Sequence, residues 1–474
     1  MNRTITIDPV TRIEGHARVF LNLHEDGSLA SAGLVVNELR GFERILVGME
    51  ADRMPLITAR ICGVCPAAHH LAASHALDHA AGVEAPPAAK LLRELLYMGH
   101  LIHSHTLSLF VLQGPDLALG LDADPTIRNI VGIVQANPEL AKKALRCRTL
   151  GQKINEMVGG RGIHPVTSVA GGITFVLDDE KQRMLETWIA EANELIPGLA
   201  AAAKGLLLKQ IELHPSFMSD WITPAWNLGT VRNGRVSMLE GLLRAVDETG
   251  AVRCEFPVEQ YDRHLVESIV DWSYMKEVRI AHDDENHPYR VGPLARANVA
   301  DGYGTPGADA ELTLLRNLGG RPCHTVVFQI YARVIELLYA AERAQEIIAD
   351  PAIRGETRIP VQFRGGRGVG HVEAPRGTLI HDYEIDESGI VRSANLIVAT
   401  QQNYVSINRT IAQAAASHVI GKSDDNALLN AIEFGIRCYD PCLSCATHAL
   451  GAMPLEVVVT RGSRPLRTIR RNDS

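Results

Sequence analysis

Polar and apolar positions alternate over the first forty residues, then give way to a longer period. Thr4 to Asp8 alternates, and His16 to Leu23 is rich in β-favouring residues. Glu25-Asp26-Gly27 follows as a hairpin-type turn, and Ala32 to Val36 predicts a third strand. From Ala88 to Leu112 the apolar residues Leu91, Leu92, Leu95, Leu96, Ile102, Leu109 and Leu112 recur close to every 3.6 residues, as one face of a long helix requires. Met184, Leu185, Trp188, Ile189, Ala192, Leu195 and Ile196 form a second stripe. Val326 to Ile348 predicts a third helix. It ends at Asp350-Pro351, because proline has no N–H with which to continue a helix. Asp424 to Ile436 predicts a fourth, with Ser423 as its cap, and Leu455 to Thr460 reads as a strand. Gly159 to Gly162, Gly171-Gly172 and Gly365 to Gly370 read as glycine-rich connections. No internal repeat, low-complexity segment or linker divides the chain. The expectation is an α+β fold, mainly helical, with a central long-helix bundle and peripheral small β-sheets.

Composition narrows the function classes. The 474 residues are 46% hydrophobic and 22% charged, enough to bury a sizeable core. The net charge is −8 and the Lys and Arg residues are scattered, so neither a nucleic-acid stripe nor a polybasic membrane face is expected. No apolar run approaches the roughly 20 residues of a membrane span. Met1 to Pro9 lacks the charged-then-apolar pattern of a signal peptide, which points to the cytoplasm. That inference weakens if an attached partner carries an export signal. Gly365 to Gly370 lacks the strand–loop–helix context and Lys-Ser/Thr ending of a phosphate loop, and no dinucleotide fingerprint is evident. The chain is therefore expected to bind no nicotinamide itself.

The cysteines change the picture. There are eight, too sparse for a disulfide framework in a chain this long. Four form two C-x-x-C pairs, Cys62 with Cys65 and Cys442 with Cys445. The i, i+3 spacing lets two thiolates converge on one ion, and four thiolates form a soft donor set suited to zinc, iron or nickel. A structural zinc site is the reading the pairs alone favour. Zinc ribbons, however, join their pairs over a short local loop, and here almost the whole chain separates them. Neither pair has the βαβ context of a redox C-x-x-C.

Around these residues the sequence resembles the large subunits of nickel–iron hydrogenases. Arg60-Ile61-Cys62-Gly63-Val64-Cys65, followed by His69, resembles the family's N-terminal signature. Asp440-Pro441-Cys442-Leu443-Ser444-Cys445-Ala446-Thr447-His448 resembles the C-terminal one. Thr11 to His16, Arg40 to Glu43, Gly162 to Pro165 with Gly171-Gly172, and Glu373 to Gly377 resemble internal motifs, in the family's order along the chain.

The resemblance implies a nickel–iron centre whose iron carries cyanide and carbon monoxide, and heterolytic cleavage of hydrogen. Cys62 and Cys442 are then terminal nickel ligands, and Cys65 and Cys445 bridge to iron. The Cys442 thiolate is the base, and Glu14 relays the proton outward. Arg376 and Thr400 are donors to the cyanides, which need such partners once buried. Asp440 orients Arg376, and His69 donates to a thiolate. Glu43, His448 and the carbonyl of Leu396 are the expected ligands of a buried Mg2+. Residues 1–448 form the catalytic domain, and 449–474 an extension that a maturation protease removes by cutting after His448. The chain departs from many membrane-bound relatives in having Ser104 rather than an acidic residue before His105. That substitution is common in the cytoplasmic, cofactor-coupled branch. A small iron–sulfur subunit and flavin/NAD-binding diaphorase subunits are the expected partners. Coupling to deazaflavin, to sulfur or NADPH, or to heterodisulfide reduction, and a hydrogen-sensing role, are the alternatives.

Overall fold

The computed structural model describes residues 3–417, 425–447, 456–461 and 464–470. Seven helices frame it: α1 Pro66–Ala80, α2 Pro87–Leu107, α3 Pro138–Gly159, α4 Asp179–Leu213, α5 Phe328–Ala349, α6 Tyr404–Ser417 and α7 Asp425–Tyr439. Proline opens the first three, where its missing N–H costs nothing. Asp178 caps α4 by accepting from the Lys181 N–H at 2.8 Å.

The predicted stripes mark real helices, with informative differences at their ends. The 88–112 pattern is α2 followed by a π turn, Ser108–Leu112. The 184–196 stripe is only the first half of α4, which runs on past Pro197 for 35 residues in all. Predicted Ser423 and Asp424, before α7, lie outside the described residues. Helix α5 is buried nearly all round, as expected of a helix at the centre of a large core. Helices α2 and α3 cross closely at paired glycines: a Cβ on Gly151 would stand 2.6 Å from the Gly99 carbonyl oxygen. Pro87–Leu112 is long and apolar enough to cross a membrane by averaged hydropathy, although polar residues interrupt it; 78% of its apolar window is buried inside the protein. It is a core helix.

The sheets are small. β1 Arg3–Ile7, β2 Arg18–Leu23 and β3 Leu29–Val35 lie at the three predicted strands and form an antiparallel meander. β4 Gly366–Ala374, β5 Gly377–Ile385 and β6 Val391–Ile397 form another. The glycine-rich segment read as a connection is thus largely strand β4. Its glycines serve packing: a Cβ on Gly370 would lie 2.2 Å from the Ala76 nitrogen, and one on Gly368 2.1 Å from the Ala76 oxygen. Bare backbone lets β4 lie directly on α1. The Ala374–Gly377 pair closes β4 and β5 around Pro375 and Arg376.

A five-stranded sheet containing Trp226–Arg232 and a three-stranded one containing Ser273–His282 fill a stretch for which the sequence yields no prediction. Trp226–Arg232 is buried on both faces, so it shows no alternation. In the tail, Glu456–Arg461 pairs antiparallel with Arg464–Arg470, in keeping with the predicted strand. One continuous apolar core joins the helices and includes all four paired cysteines.

Candidate metal centre

The two cysteine pairs meet in the middle of this core. Cys62 follows a short turn, Ala59–Ile61, and Cys65 caps the start of α1. At the other end of the chain, α7 stops at Tyr439, Asp440 adopts a left-handed φ of 53°, and Cys442 caps a one-turn helix, Leu443–Ala446, that holds Cys445. The sulfurs stand 3.3 Å apart for Cys62 and Cys442, 3.4 Å for Cys65 and Cys445, and 2.9 Å for Cys442 and Cys445. All four lie within 4.8 Å of one another.

These thiols are free and buried. Hydrogen bonds from the neighbouring thiols hold Cys62 well below the usual thiol range, while burial pushes Cys442 and Cys445 well above it. Four thiolates this close repel one another, so full ionisation demands a soft cation between them. The peptide N–H groups of Val64 and Cys65 also point at the Cys62 sulfur, at 3.2 and 3.4 Å.

A small cavity opens beside the sulfurs, lined among others by Arg376, Thr400 and His69. Arg376 is fixed by Asp440: its Nε donates to the Asp440 carbonyl at 2.6 Å and its Nη2 to Oδ1 at 3.0 Å. Its Nη1 is buried with no partner among the described residues. Burial disfavours the guanidinium charge, but Asp440 and the thiolates outweigh it and keep the group protonated. Thr400 Oγ1 accepts the Cys442 N–H at 2.8 Å, leaving its own O–H for the cavity. An orphaned cationic donor and a hydroxyl facing a soft donor set fit a thiolate-bound metal pair with anionic ligands.

Glu14 reaches the site from the opening segment. Its Oε2 accepts from the Cys442 thiol at 3.1 Å and from the Ser444 N–H at 3.0 Å. Its carbonyl accepts the Leu443 N–H at 3.1 Å. Gly15 has φ 79°, and a Cβ there would press on the Leu443 Cβ at 2.9 Å. The loop therefore lies flat on the cysteine turn.

His69 Nε2 is 3.4 Å from the Cys445 sulfur, and its Nδ1 is 3.0 Å from His381 Nε2. His381 Nδ1 in turn meets the Tyr383 hydroxyl at 2.6 Å. The sequence reading missed His381 and Tyr383. Their only signal is position: they stand two residues apart on one face of β5, the face that meets His69 of α1. It also missed the buried cluster in which Glu336 bonds Arg296, His105 and Tyr303. Ser104, beside His105, is buried.

The expected magnesium ligands are brought together only in part. Glu43 Oε1 accepts the Leu396 N–H at 2.9 Å, so these two residues are neighbours. The Thr447 carbonyl accepts from the N–H groups of Arg40 and Gly41, while His448 lies outside the described residues.

A mainly helical fold that folds both chain ends onto one buried four-thiol site defines a thiolate metalloprotein. The family described as Nickel-dependent hydrogenase matches residues 40–127 and 256–448, and one described as HoxL-like matches residues 4–39. The chain is 42% identical to a vhu-type F420-non-reducing hydrogenase subunit of Methanococcus voltae, over 87% of this chain and 98% of that one. It is 38% identical to the beta subunit of the NAD-reducing hydrogenase HoxS of Cupriavidus necator, over 97% of each. A solved NAD+-reducing [NiFe]-hydrogenase in the H2-reduced state superposes with a TM-score of 0.90 at 36% identity, covering 94% of this chain and 99% of that one. The chain belongs to the nickel-dependent hydrogenase family. It is the catalytic large subunit of an enzyme acting on H2, and Cys62, Cys65, Cys442 and Cys445 are placed to hold its nickel–iron centre.

Proposed function

We propose that Glu14 and Cys442 form the proton exit of this hydrogenase. The contact of 3.1 Å between the Cys442 sulfur and the Glu14 carboxylate carries the reading. When bound, the nickel–iron centre supplies the position at which H2 is split and its electrons are taken up. Cys62, Cys65, Cys442 and Cys445 would hold that centre, Cys62 and Cys442 toward the nickel and Cys65 and Cys445 toward the iron as well. The Cys442 sulfur, polarisable and hydrogen-bonded outward, accepts the proton and passes it to Glu14, which is half-buried and so spans the core and its edge. Arg376 and Thr400 would donate to the anionic ligands of such a centre, Asp440 sets the angle of Arg376, and His69 steadies Cys445. Glu14→Gln keeps shape and hydrogen bonding but cannot carry a proton. Nickel content and the infrared bands of the iron ligands should persist while turnover collapses. Full turnover in that variant sinks the assignment.

The electrons leave through a small iron–sulfur subunit and reach NAD on a flavin-bearing partner. The end-to-end likeness to NAD-reducing relatives supports this acceptor. A second reading is favoured by the 42% identity to a relative named F420-non-reducing: another carrier, such as a heterodisulfide. Co-purified subunits and H2-dependent NAD+ reduction separate the two. NAD coupling places the complex in the cytoplasm, which cell fractionation checks. Glu43, the Leu396 carbonyl and His448 would hold Mg2+, and the 2.9 Å contact between Glu43 and the Leu396 N–H supports the first two being neighbours.

Residues 1–448 form the mature domain, and 449–474 are cut away after metal loading. The family match ends at residue 448, which supports this boundary. Intact mass spectrometry of active enzyme should end at His448. A mass reaching Ser474 in fully nickel-loaded, active protein refutes it.

A further inference from the structure

Glu14 sits on an irregular loop that meets the cysteine turn through the N–H groups of Leu443 and Ser444, and the loop behind it must be braced for that contact to persist. The residues around Arg12 brace it. Arg12 Nη2 donates to Asp116 Oδ1 at 2.5 Å, and its Nη1 donates to Oδ2 at 3.0 Å and to the Leu112 carbonyl at 2.9 Å. Arg12 itself adopts a left-handed φ of 55°, so the loop is held in an uncommon backbone shape. On its other side Asp116 takes the Arg437 Nε at 2.9 Å. Arg437 also donates to the Thr11 carbonyl at 2.9 Å, and Glu433 accepts the Thr11 N–H at 2.7 Å.

Asp116 is fully buried and is not among the residues that line the metal cavity. It reaches this place because the π turn Ser108–Leu112 breaks the long helix and starts a short one, Gly114–Leu119. Gln113, at the break, donates to the Arg437 carbonyl at 2.8 Å.

The two arginines sit on the two arms of the site. Arg12 lies two residues before Glu14. Arg437 lies on α7, which leads through Asp440 straight to Cys442. Each repels the other: burial first, and then the charge of Arg437, lower the pKa of Arg12, and Asp116 opposes both. Asp116 thus joins both arms through one carboxylate, with Glu433 adding a second anion 3.2 Å from Arg437 and Arg128 approaching Asp116 at 3.5 Å.

We propose that Asp116 is a positioning residue for proton transfer: by bridging Arg12 and Arg437 it sets the Glu14–Cys442 contact, without touching the metal centre. This rests on the relay reading of Glu14, so the test carries Glu14→Gln as a reference.

The experiment uses the nickel-loaded enzyme with its partner subunits and compares Asp116→Asn, Asp116→Glu and Glu14→Gln with wild type. Three quantities are read: nickel content, amide hydrogen exchange of peptides spanning Thr11–His16 and Cys442–Ala446, and the rate of exchange between D2 and water as a function of pH. Asp116→Asn should keep nickel and speed amide exchange in both peptides by about tenfold or more. It should slow D2–water exchange by about 10–100-fold, the scale of an ångström misplacement, with a changed pH profile. Asp116→Glu should recover much of both. Unchanged amide exchange in Asp116→Asn overturns the proposal. So does faster amide exchange with a wild-type D2 rate, or a D2 rate lowered by one factor at every pH. If Glu14→Gln exchanges D2 like wild type, the relay reading falls and amide exchange alone decides the clamp. If Asp116→Asn does not load nickel, Arg12→Lys, which keeps the charge and loses the paired geometry, decides by the same readings.

Discussion

Replacing Glu336 by Gln should destabilise the nickel-free chain by about 3–5 kcal/mol, the usual cost of leaving a buried charge without its partner. Glu336 is fully buried on α5. It takes Arg296 through two hydrogen bonds of 2.6 and 2.7 Å, His105 at 2.9 Å and the Tyr303 hydroxyl at 3.2 Å. Burial alone raises its pKa, but the Arg296 charge and the His105 contact outweigh it and bring it to about 2, against an ordinary 4.5. That gap corresponds to about 3 kcal/mol at neutral pH. Because the folded value is depressed, this contribution is complete above the unfolded value of 4.5 and fades as pH falls toward 2. Near pH 3 about 2 kcal/mol of it is gone. A chain this long, unfolding as one unit, has an unfolding entropy of about 1 kcal/mol/K, so the variant should melt about 3–5 °C lower at pH 7. Melts of metal-free wild type and Glu336→Gln at pH 7 and pH 3 test it, since metal loss in acid then plays no part. A deficit under about 1 °C at pH 7, or one equally large at pH 3, refutes the reasoning.

Cys62→Ser and Cys445→Ser should each lose nickel, measured by elemental analysis, because a neutral hydroxyl is a poor substitute for a thiolate. Full nickel in either refutes the four-thiol assignment. Gly370→Ala places a methyl 2.2 Å from the Ala76 nitrogen and should destabilise by about 1–3 kcal/mol or more, read as a lower melting temperature. An unchanged melt shows that β4 can lift from α1 at no cost.

The chemistry of this chain was more legible than its architecture. The thiol pairs, Glu14, Arg376 and Asp440 lie in short motifs that carry the family resemblance, Thr400 follows from that resemblance alone, and the structure gathers all of them at one place. The long helices were legible because one apolar face repeats over several turns. Strand β4 was hidden because its glycines serve a neighbour, α1, that no local rule can see. Asp116, Glu336, His381 and Tyr383 were hidden for the same reason. Each is an ordinary residue in sequence and acquires its role from partners far along the chain: Asp116 pairs with Arg437 across 321 positions.

That distance has a physical consequence for the centre itself. Cys62 and Cys442 are 380 positions apart, and the elements that carry them meet only when α1, α2, α5 and α7 have packed. A site with such long closure cannot form early in folding, because the entropy of joining the ends must be met before any ligand bond rewards it. Before that point each C-x-x-C pair is a two-thiol site, open to zinc or any other soft ion. The completed core changes the selection. It adds Arg376, whose Nη1 has no partner among the described residues and can donate to an anion beside the metal, and it excludes water from four sulfurs that cannot all ionise alone. The buried cation held by Asp440 therefore adds to the four cysteines a donor for an anion beside the metal, which a short zinc motif has no means to supply.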